Sequence, residues 1–353
     1  MAASGVPKLS RKLVGVSISQ RFREAVQIQT VETPSPGPGE LLVRSKYVGI
    51  NASDINWTAG RYFPRLQPPF DTGLEGLGEV VQMGENCGRF KPGDAVSYMY
   101  AGAFSEYLTL PAKIAVPVPR VDPNFVSILI SGMTASISLE KFGNLKPDSK
   151  VLVTAAAGGT GQFAVQLAKL AGCHVIGTCS TEEKVEMLKR LGCDRPINYK
   201  KEDFKSVLKE EYPKGVDVVY ESVGGEVFNT CVKNLAVGGR LIIIGFITSY
   251  QDSNFALRPT LPLYQILLTK SASVQGFFLN NHLRDIPSHL AKMVQLYSTG
   301  KLQAKVDLGE GYVKGPFKSL ESIFDAVDYL YTGQSKGKVV VELNPSSSVD
   351  SKL

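Results

Sequence analysis

The sequence predicts an α/β protein in two parts, a β-rich domain followed by a doubly wound parallel sheet covered by helices. Three observations carry this. Short alternating apolar runs, separated by turn residues, fill positions 12–125. From Lys150 the pattern switches to apolar runs that alternate with helical periodicity, as expected of a parallel sheet wrapped by its own crossovers. Between the first of those runs and its helix lies a turn of small residues, 154–161. A chain of 353 residues is long enough for two cores.

In the β-rich part, the runs at 41–48, 78–83 and 95–100 alternate as half-buried strands do. Pro34-Ser35-Pro36-Gly37-Pro38-Gly39 and Lys91-Pro92-Gly93-Asp94 are turn chemistry between them. Over 125–143 the period becomes helical, with Ile128, Leu129, Met133 and Ala135 among small residues. Beyond it, strands are expected at 151–155, 174–178, 216–220, 240–245 and 273–277. Helices are expected at 161–171, 181–191, 228–235 and 287–299. β-character returns after Gly300, with a helix at 320–331 and a last strand at 338–343. The final segment is therefore expected to rejoin the first domain, giving 1–128 with 302–353 as one domain and 129–301 as the other. There are no internal repeats or low-complexity tracts.

Apolar residues make up 43% of the chain and charged residues 20%, an ordinary globular composition. The net charge of +6 is scattered, whereas nucleic-acid binding needs a clustered basic face, so no nucleic-acid partner is expected. No run of eighteen apolar residues appears, so no membrane span is expected. The cysteines Cys87, Cys173, Cys179, Cys193 and Cys231 form no C-x-x-C pair, and several sit in apolar runs. They read as free thiols acting as small hydrophobes, which argues against a disulfide framework and a four-cysteine zinc site. The first thirteen residues lack the apolar core of a secretory signal. Ser351-Lys352-Leu353 spells the peroxisomal address, after a polar stretch at 345–350. A peroxisomal location, with the peroxisomal import receptor as a partner, is the expectation that follows.

The turn Ala155-Ala156-Ala157-Gly158-Gly159-Thr160-Gly161 carries the strongest chemical signal. An apolar strand feeds it and a helix starts straight after. Gly158, Gly159 and Gly161 permit tight backbone geometry and the close approach of a pyrophosphate, and the helix N-terminus offers N–H groups and a positive dipole end. A glycine triplet alone is weak evidence; one that opens a strand–helix–strand unit is strong. NAD-binding chains usually end the next strand with a carboxylate for the ribose 2′-hydroxyl. Here that strand ends in Cys179 and Ser180, and Lys184 follows. Ser180 and Lys184 suit a 2′-phosphate instead, so NADPH is the expected cofactor.

The β-rich first domain, this turn and the returning C-terminal segment together resemble the quinone oxidoreductase branch of the medium-chain dehydrogenases/reductases, over nearly the whole chain. Residues 48–56, 193–200, 218–225 and 271–280 resemble the prostaglandin-reducing members of that branch. The resemblance implies a chaperonin-10-like catalytic domain and a Rossmann domain with the active site between them. It implies cofactor contacts at Thr160 and Ser222 on the pyrophosphate and ribose, and at Tyr199 beside the 2′-phosphate. It places Ile244 and Tyr250 beside the nicotinamide half and Phe277, Phe278 and Leu279 along it. Ser335 stands where the family often has Asn. The zinc alcohol dehydrogenases place Cys where this chain has Asn51 and Gly-His-Glu where it has Gly73-Leu74-Glu75. Leu74 binds no metal and Asn51 is a poor zinc ligand, so no metal is expected. His174, His282 and His289 show no ligand spacing.

The activity this resemblance implies is zinc-independent, NADPH-dependent reduction of the activated C=C bond of an enone. The implied substrate is a lipid such as a 15-keto-prostaglandin, reduced at its 13,14 bond, which would place the chain in lipid metabolism. An alcohol without a metal lacks the Lewis acid that eases its oxidation. An enone needs its β-carbon held at roughly 3–3.5 Å from the hydride, and a hydrogen-bond donor for the developing enolate. Tyr250 is the first candidate donor, with Tyr62 and Asn51 behind it. Phe63, Phe70, Trp57 and Phe278 are candidates for an apolar slot. A quinone or alkenal substrate is the alternative within the same chemistry. A non-catalytic NADPH-binding protein is the alternative from another class. The family commonly dimerises through an edge of the Rossmann sheet, and 271–278 has the character of such an edge.

Overall fold

A computed structural model describes residues 5–251 and 262–343. Among them the chain divides into two compact units. The first runs up to Leu129 and resumes at Val306; the second is the stretch between.

The first unit opens with β1 (Leu9–Gly15), a short helix α1 (Phe22–Ala25) and β2 (Val26–Glu32), which lies antiparallel to β1. β3 (Glu40–Gly49) is the spine of the main sheet, and its Leu41, Leu42, Val43 and Val48 are all fully buried. A helix, α2 (Ser53–Thr58), follows inside a region whose pattern reads as all strand. Six residues are too few to display a helical period, which is why the sequence does not reveal it. β4 (Phe70–Asp71) joins β1 and β2 in a separate three-stranded sheet, while the main sheet continues with β5 (Glu75–Met83), β6 (Ala95–Met99), β7 (Tyr107–Pro111) and β8 (Val116–Pro117). β3 pairs antiparallel with both β5 and β7. Leu41, Val43, Val80, Val96, Tyr98 and Leu110 meet in one apolar cluster.

Residues α3 (Asn124–Ser127) and α4 (Met133–Ser138) belong to one helix extended by π-turns from Asn124 to Gly143. It is long and apolar enough to cross a membrane by composition, but 72% of its most apolar window is buried in the protein, as in a core helix.

The second unit is a six-stranded parallel sheet. In chain order it contains β9 (Lys150–Val153), α5 (Gly161–Leu170), β10 (His174–Cys179), α6 (Glu182–Arg190) and β11 (Arg195–Asn198). Then come α7 (Phe204–Glu211), β12 (Val216–Glu221), α8 (Gly225–Lys233), β13 (Leu235–Ile243), α9 (Leu263–Lys270), β14 (Ser273–Gly276) and α10 (Ile286–Ser298). The order β11-β10-β9-β12-β13-β14 reverses direction between β9 and β12, the doubly wound arrangement. Leu152, Ile176, Ile197, Val219 and Leu241, one from each of five neighbouring strands, share a buried cluster. Each such side chain contributes about 1.5–3 kcal/mol on burial.

Some expected boundaries move. β9 stops at Val153 because Ala155 turns to a left-handed φ of 47°. α8 starts at Gly225 rather than 228, and Leu235 belongs to β13, not to the helix. The Glu221 carboxylate accepts the N–H groups of Val223 and Gly224 and fixes that earlier start. The chain closes the first unit with β15 (Val306–Asp307), α11 (Ser322–Tyr331) and β16 (Lys338–Glu342), which pairs antiparallel with β3.

Candidate active site

The turn after β9 is built from crossed hydrogen bonds. Thr154 N–H donates to Tyr220 O at 3.0 Å, Ala155 N–H to Thr178 Oγ1 at 3.1 Å and Ala156 N–H to Thr178 O at 2.9 Å. These bonds tie the ends of β9, β10 and β12 together, at the point where the strand order reverses. A Cβ on Gly161 would lie 2.5 Å from Ala155 O, so only glycine lets α5 begin against this turn. The N–H groups of Gly159, Thr160 and Gly161 donate to no partner among the described residues. At a helix start that is the signature of an anion site.

Two side chains around the turn differ in their availability. The Thr160 hydroxyl is already engaged: it donates to Ser131 O at 3.1 Å and meets Tyr220 Oη at 2.5 Å. Thr160 therefore has its backbone N–H to offer a phosphate, not its side chain. Ser222 Oγ, by contrast, is buried with no partner among the described residues, while its N–H is held by Thr154 Oγ1 at 2.9 Å. A buried hydroxyl without a partner is costly, and a ribose hydroxyl would satisfy it. The donors and this orphan fit the expected dinucleotide.

At the ends of β10 and β11, Lys184 Nζ lies 3.3 Å from Ser180 Oγ, and Tyr199 N–H donates to Cys179 O at 3.1 Å. Lys184 is only 6% exposed although it is a lysine in the first turn of α6. Ser180, Lys184 and Tyr199 are thus gathered at one corner of the sheet.

After β13, Ile244 N–H donates to Glu221 O at 2.7 Å, and Tyr250 is buried. The Tyr250 hydroxyl accepts from Phe246 N–H at 3.3 Å and its ring sits edge-on to Phe246 at 4.8 Å. It is folded onto its own loop. Phe277 is buried and stacks on His282 at 4.9 Å, which is core packing, whereas Phe278 and Leu279 are half-buried.

The first unit holds the remaining candidates. Asn56 Nδ2 donates to Tyr62 Oη at 2.9 Å, and Arg61 donates to Asn56 Oδ1 at 2.9 Å. Trp57 and Phe63 touch edge to face at 5.0 Å, with Phe63 exposed. Phe70 is not a slot wall: it is buried on β4, against Gly15 of β1, where an added Cβ would strike its ring. Ser335 is buried just ahead of β16.

Sequence reasoning named Asn51 as a candidate donor but missed Lys338 beside it. Lys338 Nζ donates to Asn51 Oδ1 at 2.6 Å and lies 2.5 Å from Glu75 Oε1, and Asn51 Nδ2 donates to the same Glu75 oxygen at 2.9 Å. Asn51 N–H donates to Asp54 Oδ2 at 2.8 Å. Burial pushes the Asp54 carboxyl up to about 7, although the Asn51 N–H and the Lys338 charge pull it down. The signal was Lys338 itself, a charged residue opening a strand whose Val339, Val340 and Val341 are apolar. Asn51 and Glu75 are the positions that match the zinc dehydrogenases, and here they already hold an ammonium. A dication would have to displace that charge, so these residues do not fit zinc. Elsewhere among the described residues no cluster of three or more His, Cys, Asp or Glu is placed to hold a metal.

Comparison with known proteins adds the following. A family model described as zinc-binding dehydrogenase matches residues 159–299, and one described as alcohol dehydrogenase GroES-like domain matches 37–120. The chain is 54% identical to prostaglandin reductase-3 of Mus musculus over 352 residues, covering 98% of this chain and 93% of that protein. It is 45% identical to a probable quinone oxidoreductase of Leishmania amazonensis, over 96% of this chain and 99% of that one. Among solved structures, CurA from Vibrio vulnificus in complex with NADPH matches with a TM-score of 0.80 at 26% identity, over 95% of this chain and 99% of that one.

Proposed function

The chain belongs to the medium-chain dehydrogenase/reductase family, among the prostaglandin reductases and quinone oxidoreductases, and from that membership we propose that it is an NADPH-dependent, zinc-independent reductase of enone C=C bonds. The observation that carries the reading is the buried Lys338 ammonium seated between Asn51 and Glu75. Where an ammonium already occupies the residues at the metal position, they do not suit a Lewis-acid metal for alcohol oxidation, and an enone does not need one.

The chemistry that bound NADPH supplies is a hydride for the β-carbon of the enone. The chain's own residues do the rest. The N–H groups of Gly159, Thr160 and Gly161 and the Ser222 hydroxyl bind and orient the dinucleotide, and Lys184 with Ser180 receives its 2′-phosphate. As the β-carbon gains its new C–H bond, the π pair moves toward the carbonyl and leaves negative charge on the oxygen. A donor must meet that charge. Asn51 is favoured over Tyr250 for this task. The amide has an Nδ2 hydrogen with no partner among the described residues, whereas the Tyr250 hydroxyl lies against its own loop. Water then protonates the α-carbon and restores the carbonyl.

The 54% identity to a prostaglandin reductase-3 supports a 15-keto-prostaglandin as the substrate, reduced at its 13,14 bond. The test follows loss of NADPH absorbance with a 15-keto-prostaglandin, with and without a chelator. Chelator-resistant turnover is expected; turnover only with quinones or short alkenals would move the substrate class. NADPH binding with no turnover of any of them would leave a binding protein.

Two further readings belong with this one. Lipid metabolism in peroxisomes is supported by Ser351-Lys352-Leu353, which lies outside the described residues. A tagged chain that stays cytosolic in cells, with that tripeptide at its C-terminus, would remove it. A homodimer through the β14 edge is supported by the exposed apolar surface beside it, Tyr264 and Leu268 of α9.

A further inference from the structure

We propose that Lys338 and Glu75 act as positioning residues: they form a buried ion pair that grips the Asn51 amide and sharpens it as the donor to the enolate oxygen. The proposal rests on the enone-reductase reading above.

The three side chains close a ring. Lys338 Nζ reaches Asn51 Oδ1 at 2.6 Å and Glu75 Oε1 at 2.5 Å, and Asn51 Nδ2 reaches Glu75 Oε1 at 2.9 Å. An ammonium has donors only and a carboxylate acceptors only, so the amide has one chemically allowed orientation. A flipped amide would set its NH2 against the ammonium and its oxygen against the carboxylate. With rotation closed off, the second Nδ2 hydrogen has a fixed direction. The ammonium on Oδ1 also draws electron density from the amide, and a polarised N–H is a stronger donor.

The backbone is held as firmly as the side chain. Asn51 N–H donates to Asp54 Oδ2, Asp54 N–H donates back to Asn51 O at 3.0 Å, and Ile50 N–H donates to Val339 O at 2.9 Å. Gly49 makes room for the carboxylate, since a Cβ there would lie 2.5 Å from Glu75 Oε1.

Stability alone does not explain such a pair. Glu75 is 0% exposed and Lys338 3%. A buried ion pair is commonly no more stabilising than apolar residues of the same volume. Its value here is orientation: a donor that need not reorganise as charge develops is the kind that lowers a barrier. The amide transfers no proton in the step; it only donates a hydrogen bond to the oxygen as negative charge grows there.

The test compares wild type, Asn51→Leu, the double variant Lys338→Met with Glu75→Gln, and the triple variant. Steady-state rates with an enone and NADPH are read beside NADPH affinity and thermal melting. The double variant removes both charges together, so no unpaired ion is left buried and folding is expected to survive. Asn51→Leu and the double variant are each expected to lower kcat by roughly 10²-fold, the usual loss of an oxyanion donor, with NADPH affinity held within about twofold. The triple variant is expected to be no slower than Asn51→Leu, because the pair acts only through the amide. A folded double variant with wild-type kcat overturns the proposal. So does an Asn51→Leu enzyme with unchanged kcat, or a triple variant whose loss is the product of the other two. Should the double variant not fold, the side-chain amide NMR signal of Asn51 in the wild-type protein decides. Two resolved Nδ2 protons, one shifted downfield by the carboxylate, are expected; the shifts of a free amide overturn it. Wild-type turnover separates the two levels. If wild type does not reduce the enone, both readings fall; if it does and the variants keep pace, only the role of the pair falls.

Discussion

Asp54 shows how burial sets chemistry at a single residue. Its carboxyl rises from 3.8 to about 7, and burial is the largest cause. The folded state keeps a proton that the unfolded chain has lost, so stability falls as pH rises from about 4 to about 7 and levels off above. Asp54→Asn keeps an acceptor for the Asn51 N–H and cannot ionise. Its stability relative to wild type is therefore expected to grow between about pH 5 and about pH 8, read by urea unfolding at both; a constant difference would contradict this. The thiols follow the same physics. Burial raises Cys179 to about 11 and Cys193 to about 12. Since the thiolate is the reactive form, both are expected to resist a thiol reagent until the chain is denatured. Lys184→Ala is expected to weaken NADPH by about 1.5–3 kcal/mol, roughly 10- to 100-fold, while leaving NADH unchanged; equal losses on both cofactors would remove Lys184 from the 2′-phosphate. The strand–turn–helix around Gly158–Gly161 was legible because its signal is local, seven residues between a strand and a helix. Lys338 was not legible as a site residue, because its partner Asn51 is 287 positions away.

Among the elements, the alternation of the second unit was legible even where its strands are short, as at β9 and β14, whereas α7 and α9 went unread in the sequence. The parallel sheet declared itself through its alternation of strands and helices. α2, with six residues, was missed because it is too short to show a helical period; β11, with four, was missed although β9 and β14 are no longer. The start of α8 was misplaced for another reason: it is set by the Glu221 carboxylate, a side chain acting on backbone N–H groups, and no periodicity reports that. The edge made by α9 and β14 belongs at this scale too. Tyr264 is 82% exposed and Leu268 80%, next in the chain to a strand that pairs on one side only among the described residues. Leu268→Lys is expected to turn a dimer into a monomer in light scattering, without lowering the melting temperature. A wild-type protein that is already monomeric would count against assembly at this edge.

The whole molecule is organised by a chain that leaves its first unit and comes back. The second unit is continuous from Ile130 to Lys305 and has its own buried cluster. Expressed alone, that segment is expected to fold and to bind NADPH without turnover, which fluorescence titration would check; failure to fold would show that it depends on the rest of the chain. The first unit has no such independence. β16 completes the sheet at β3, and it brings Lys338 with it. Synthesis on the ribosome makes this an ordering in time. At about 5–20 residues per second, the 287 residues between Asn51 and Lys338 take on the order of 15–60 s to emerge. Through that interval Lys338 is not yet there to reach Glu75 and Asn51, so the ring of these three side chains can form only after β16 has left the ribosome.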